Sequence, residues 1–259
     1  MRVLRELASS LLDLCLPRTC AGCQQVWMLS EQGFWCPECL KALAWIESPR
    51  CPCCGIPFLD SPGSADHLCG DCLKNSFAFD AARSAVLYAG VARERIHQLK
   101  FGGKLHWVPA LEALLAETVP RGDAITRVDM VLPVPLHKQR LRQRGFNQAG
   151  LIAREFGRHL SIPVRFGVLT RHRATLPQTR LGRRERLHNV RGAFSVGRPE
   201  VVRDRSVLLV DDVFTTGTTL SECASVLKRV GVQVVYALTV ARVVPDATVS
   251  GFEDGAIFP

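Results

Sequence analysis

Two adjacent carboxylates, Asp211 and Asp212, stand at the end of an unbroken apolar run and just before the hydroxyl-rich stretch Thr215, Thr216, Gly217, Thr218, Thr219. VLLV at 207–210 has the pattern of a strand buried on both faces of a parallel sheet, so the acids fall at its C-terminal tip, where open α/β sheets bind ligands. The residues that follow suit a phosphate. Successive backbone N–H groups in a loop that opens a helix form an anion cradle, Gly217 permits close approach, and the threonine hydroxyls add donors. Ionised carboxylates complement that cradle by accepting hydrogen bonds from vicinal ribose hydroxyls. The expectation is a ribose 5-phosphate site, with Asp211 and Asp212 exposed at the tip and holding the sugar, and Thr215–Thr219 holding the phosphate. An acidic turn followed by an ordinary threonine cap is the plainer alternative. No G-x-x-x-x-G-K-[ST] loop occurs, which argues against a P-loop ATPase.

A second basic constellation follows the apolar segment 128–134. Lys138, Arg140, Arg142 and Arg144, closed by Gly145, supply cations whose guanidinium forks match phosphate oxygens. A solvated basic helix start is the bland alternative. The charge is uneven along the chain. Residues 137–205 carry 17 basic and 4 acidic side chains, a balance of +13, whereas residues 1–80 carry 6 basic and 9 acidic, a balance of −3. An anionic partner near the middle of the chain is the direct inference. Only four phenylalanines and no tyrosine or tryptophan lie in 137–205, so a stacking platform for single strands is not evident and any contact with DNA would be driven by phosphate.

Ten of the eleven cysteines precede residue 73. Four C-x-x-C pairs appear in order: Cys20/Cys23, Cys36/Cys39, Cys51/Cys54 and Cys69/Cys72. Twelve residues separate the first two pairs and fourteen the second two, the spacing of short ribbons that each close a tetrahedral four-thiolate zinc site. Four thiolates leave no open coordination position, so such zinc is structural. Two Zn²⁺ and eight thiolates would bring the formal charge of +9 down to about +5. One zinc with the remaining pairs reduced, a redox role, and interleaved pairing remain open. Cys53 is either a substitute ligand or idle.

These sites need elements to position them. Strands are expected within 81–90, 128–134, 207–210 and 234–242, and helices at 91–100, 108–118, 147–160 and from 221 to Gly231, which is α/β architecture. The chain has 259 residues, 47% hydrophobic and 22% charged, with mean hydropathy +0.10, enough for one sizeable core and a small appended unit. Apolar positions Leu4, Leu7, Ala8, Leu11, Leu14 and Cys15 predict an amphipathic helix, and Glu6 and Asp13 interrupt any signal-like run. No apolar stretch reaches the roughly 18 to 20 residues of a membrane span, and the expected location is the cytoplasm. The histidines lack metal spacing, and no catalytic residue can be assigned.

VLLVDDVFTTGTTL resembles the phosphoribosyl pyrophosphate signature of type I phosphoribosyltransferases. LKFGGK at 99–104, VLPVPLHKQRLRQRGFNQA at 131–149, and the frame Gln178, Leu181, Arg186, Asn189, Val190, Ala193, Phe194 narrow the likeness to the ComF family of competence proteins, GntX-like members included. The likeness covers nearly all of residues 3 to 242, and the cysteine segment is similar to that family's N-terminal double zinc ribbon. It implies an amphipathic helix plus double zinc ribbon at 1–78, a parallel-sheet α/β domain like a phosphoribosyltransferase at 79–242, and a tail at 243–259. It further implies phosphoribosyl pyrophosphate or a related phosphorylated sugar as ligand, with Mg²⁺, and pyrophosphate held by Lys138, Arg140, Arg142, Arg144 and Gly145. That basic loop is longer than the small-residue pyrophosphate loops of many such enzymes, and an extended polyanion suits it. Residues 170–194 resemble the hood that selects the acceptor. The family implies handling of single-stranded DNA in transformation or DNA utilisation, with single-stranded DNA and DNA-uptake proteins as partners. An active phosphoribosyltransferase with an unidentified acceptor and a ligand sensor acting through the ribbons are the alternatives.

Overall fold

The computed structural model describes residues 19–26, 33–58, 64–119, 123–173 and 191–244. The helix expected near the N-terminus, most of the 170–194 hood, and residues 245–259 of the tail lie outside the described residues.

Two short helices lie in the cysteine segment, α1 (Pro37–Ala42) and α2 (Gly70–Lys74). The rest alternates: β1 (Ala81–Leu87), α3 (Gly90–Gly102), α4 (Val108–Thr118), β2 (Met130–Pro133), α5 (Lys138–Arg144), α6 (Gln148–Leu160), β3 (Leu169–Arg171), β4 (Phe194–Val196), α7 (Pro199–Val202), β5 (Ser206–Phe214), α8 (Thr218–Arg229) and β6 (Val234–Arg242). Strands β1, β6, β5 and β2 pair in that order, all parallel, and β3 and β4 form a separate antiparallel hairpin.

The pattern of apolar residues explains the two-sided packing. Val207 to Val210 are all fully buried, as a central parallel strand requires. Leu208 and Val210 face a core built with Ile96 and Leu99 of α3, Leu111 of α4 and Phe156 of α6. Val207 and Leu209 face the opposite core, with Cys223 and Leu227 of α8. Helix α6, which follows β2, lies on one face of the sheet and α8, which follows β5, on the other, so the chain leaves these two neighbouring strands in opposite directions and a crevice opens at their C-terminal ends.

Both sheet edges are covered. Along β1, Ile46 N–H donates to Ala85 O (2.9 Å), Leu87 N–H to Ala44 O (2.8 Å) and Ala82 N–H to Cys53 O (2.7 Å), so the cysteine segment lies along the outer strand. Gly55 makes this approach possible, because its φ is +74° and a Cβ there would sit 2.6 Å from Ala82 O. Along β2, Val131 N–H donates to Pro163 O and Arg165 N–H to Val131 O.

Candidate functional site

Strand β5 outlasts one neighbour. β2 pairs with it only to Pro133–Val210, whereas β6 accompanies it to Phe214–Arg242. Asp211 to Phe214 therefore border open space where β2 has ended, and a cleft of about 970 Å³ lies there. The strand alternation that sends Leu208 and Val210 to the α3 face sends Asp212 the same way, and Asp211 to the α8 face.

Asp212 is 3% exposed and Asp211 half-buried, in contrast to the exposed pair expected from sequence. The cause is a partner from α3: Lys100 Nζ lies 2.9 Å from Asp212 Oδ2, with both side chains largely buried. Burial would lower the Lys100 ammonium, and pairing with Asp212 outweighs it, so its pKa is raised above the ordinary lysine value. Burial and the neighbouring Asp212 push the Asp211 carboxyl up to about 7, against the pull of Lys100. Asp211 Oδ1 also accepts a 2.9 Å bond from the Asp212 N–H.

Beyond the acids the chain turns at Gly217 (φ +73°) into α8, and no side chain caps that helix. Glycine is required there twice over, since a Cβ would fall 2.5 Å from the Phe214 ring and 2.9 Å from Phe77. Thr215, Gly217 and Thr219 line the cleft, while Thr216 and Thr218 bond to each other at 3.0 Å through their hydroxyls, with Thr218 buried.

The basic segment is not an extended loop but the helix α5, started by the His137 ring accepting from Gln139 N–H and ended by Gly145 in the left-handed region. Helical spacing divides its cations. Arg140 and Arg144, four apart, line the cleft, whereas Lys138 and Arg142 are exposed outside its lining and Gly145 serves as the helix stop. Burial lowers the pKa of Arg144, whose guanidinium lies 5.6 Å from the centre of the Phe101 ring and bonds to Gln148.

The cysteines gather into two groups of four, Cys20, Cys23, Cys36, Cys39 and Cys51, Cys54, Cys69, Cys72, with all sulfurs of a group within 4.8 Å of one another. Consecutive pairs combine, so the pairing is not interleaved, and Cys53 belongs to neither group. The donor set fits zinc. Zn–S bonds of about 2.3 Å imply sulfurs about 3.8 Å apart in a tetrahedron, and Cys54 and Cys69 stand 3.7 Å apart. Backbone N–H groups favour a thiolate at Cys20, where Gly22 and Cys36 each donate to Sγ at 3.2 Å, whereas burial raises the Cys36 and Cys39 thiols beside it. Burial would raise the Cys20 thiol, and the N–H groups of Cys36, Cys23 and Gly22 outweigh it and lower it to about 7.

Comparison with known proteins matches residues 11–73 to a double zinc ribbon domain and residues 142–248 to a phosphoribosyl transferase domain. DNA utilization protein YhgH of Escherichia coli is 34% identical over 233 residues, covering 88% of this chain and 99% of that protein. Competence protein F of Haemophilus influenzae is 31% identical over 229 residues, covering 86% and 96%. The chain belongs to the ComF/YhgH family. A solved structure described as the allosteric regulatory enzyme of purine biosynthesis matches 58% of this ComF/YhgH chain at 22% identity with a TM-score of 0.33, and the chain spans 26% of its length. Among the described residues no helix is long and apolar enough to cross a membrane.

Three cations of this ComF/YhgH chain went unassigned in the sequence. Lys100 lies in LKFGGK but carries no motif of its own. Arg171, delivered by β3, is 8% exposed, lines the cleft, and stacks 5.3 Å from the centre of the Phe194 ring. Arg242 ends β6, where it donates to Cys54 O (2.6 Å) and lies 4.0 Å from the centre of the Phe214 ring, joining the second cysteine group to the phosphate-type loop.

Proposed function

We propose that this chain binds a 5-phosphorylated ribose, namely phosphoribosyl pyrophosphate or a close relative, in the cleft at the end of β5, and that binding serves the handling of single-stranded DNA. The observation that carries the reading is convergence on one cleft of the two acids, the uncapped start of α8, and the cations Arg140, Arg144 and Arg171. In this reading the 5-phosphate accepts from backbone N–H groups of Thr215–Thr219 and from threonine hydroxyls. The ribose hydroxyls donate to Asp211 and Asp212, and the arginines face the anionic group on C1. Two structural zinc ions occupy the cysteine groups. The DNA role is supported by the relatives' names, which speak of DNA utilization and competence, and by the +13 balance of residues 137–205.

Calorimetric titration with ribose 5-phosphate and with phosphoribosyl pyrophosphate tests the site. Asp211→Asn with Asp212→Asn removes charge-assisted acceptors contributing about 1.5 to 3 kcal/mol each, so affinity should fall by two orders of magnitude or more. Unchanged affinity in a folded double variant rules the site out. Transfer to an acceptor is a second reading, favoured by the apolar wall that Tyr88, Phe101 and Phe146 add to the cleft. Release of pyrophosphate in the presence of bases, ammonia or oligonucleotides would support it.

A further inference from the structure

Phosphoribosyl pyrophosphate was expected to arrive with Mg²⁺, and the protein side of the cleft does not fit that ion. Mg²⁺ requires near-octahedral oxygen ligands at about 2.0 to 2.1 Å and is usually anchored by one or two carboxylates. The cleft has two carboxylates to offer, and each already has a partner within the protein. Asp212 Oδ2 holds Lys100 Nζ at 2.9 Å in a largely buried pair. Asp211 accepts from the Asp212 N–H, and its burial beside a second acid disfavours the ionised form. Around them stand Arg140, Arg144 and Arg171. A divalent cation would enter a space already holding four cationic side chains, where low dielectric strengthens repulsion.

We propose that Lys100 takes the place of a divalent cation, so that the chain binds phosphorylated ribose without Mg²⁺. The inference rests on the ribose-phosphate reading and deepens it. Lys100 lies near the end of α3 and lines the cleft, its ammonium paired with Asp212. It therefore presents positive charge beside the candidate sugar acids while keeping Asp212 from attracting a metal. The three arginines supply the remaining neutralisation through fork-shaped donors suited to phosphate.

The full chain is titrated calorimetrically with ribose 5-phosphate and with phosphoribosyl pyrophosphate, once in EDTA and once in millimolar Mg²⁺. Wild type should bind in both buffers with affinities within about threefold, since a site that needs no ion gains little from one. Lys100→Met should bind at least tenfold more weakly in EDTA and recover in Mg²⁺, because the vacated Asp212 can then accept the ion. Lys100→Arg keeps the charge and should retain binding in EDTA, which separates lost charge from lost fold. Wild-type binding that appears only with Mg²⁺ overturns the inference and leaves the ribose-phosphate reading standing. A Lys100→Met variant that binds like wild type in EDTA overturns the role of Lys100. Binding of neither probe in either buffer overturns the ribose-phosphate reading, and this inference with it.

Discussion

Asp211 is the residue whose environment is most at odds with its chemistry. A carboxyl pushed up to about 7 from an ordinary 3.8 is protonated more readily in the folded chain than in the unfolded one. Between those values the native state binds more protons, so stability falls as pH rises through this window, and the cost is complete above about 7. Asp211→Asn, which cannot ionise, should therefore be more stable than wild type at pH 8, with the advantage shrinking toward pH 4. Denaturant midpoints of the two proteins across that range measure it, and parallel curves would show that Asp211 is not held in this way. The placement of the adjacent acids and the threonine-rich loop at the end of β5 could be read from sequence because it is local. Lys100 and Arg171 could not, since they meet Asp211 and Asp212 only after α3 and β3 have been placed by the sheet. No spacing rule joins residue 100 to residue 212.

Among the elements, those with a strong period were the legible ones. β6 occupies VVYALTVAR without change, and α6 begins at Gln148, one residue inside the expected 147–160, with Asn147 ahead of it. β5 ran further than its apolar run because pairing with β6 continues past Val210, and two carboxylates conceal a strand from any hydrophobic reading. α5 was obscured in another way. Its basic residues give no apolar stripe, only Leu141, yet a turn of helix decides which of them reach the cleft. Arg144→Ala should weaken ribose 5-phosphate at least tenfold. Lys138→Ala with Arg142→Ala should leave that affinity within twofold and, if these outward cations meet a DNA backbone, reduce the slope of log affinity against log salt for an oligonucleotide by about 1.4, at roughly 0.7 per phosphate. Fluorescence titration at several salt concentrations distinguishes the two faces, and equal loss from both would mean that α5 does not divide its cations this way.

At the scale of the molecule, the sequence set a cysteine-rich unit at 1–78 apart from an α/β domain at 79–242. The packing joins them instead. Cys20, Cys36 and Leu43 share a core with Ile96, Leu111 and Leu115, and Cys51 and Cys54 share the other with Phe79, Phe214 and Val235. Arg95 of α3 adds bonds to Ala21 O and Gly22 O. Elemental analysis should find two zinc ions per chain, and Cys36→Ser or a strong chelator should lower the melting temperature of the whole chain in one transition. A second transition at the original temperature would mean the parts are independent after all.

The cover that the cysteine segment lays along β1 has a consequence for life before folding is complete. The outer edge of that strand is satisfied by backbone groups of Ala44, Ile46 and Cys53, all from the cysteine segment. If zinc holds this stretch, its loss would loosen the cover, and seven residues of mostly apolar strand would present unpaired N–H and C=O groups to any other chain in the same condition. On the two-zinc reading, a newly synthesised copy would pass through that state until it acquired its ions. Zinc supply would then govern how much of the protein stays in solution, through a competition between metal capture, which is first order in each chain, and self-association, which rises with the square of chain concentration.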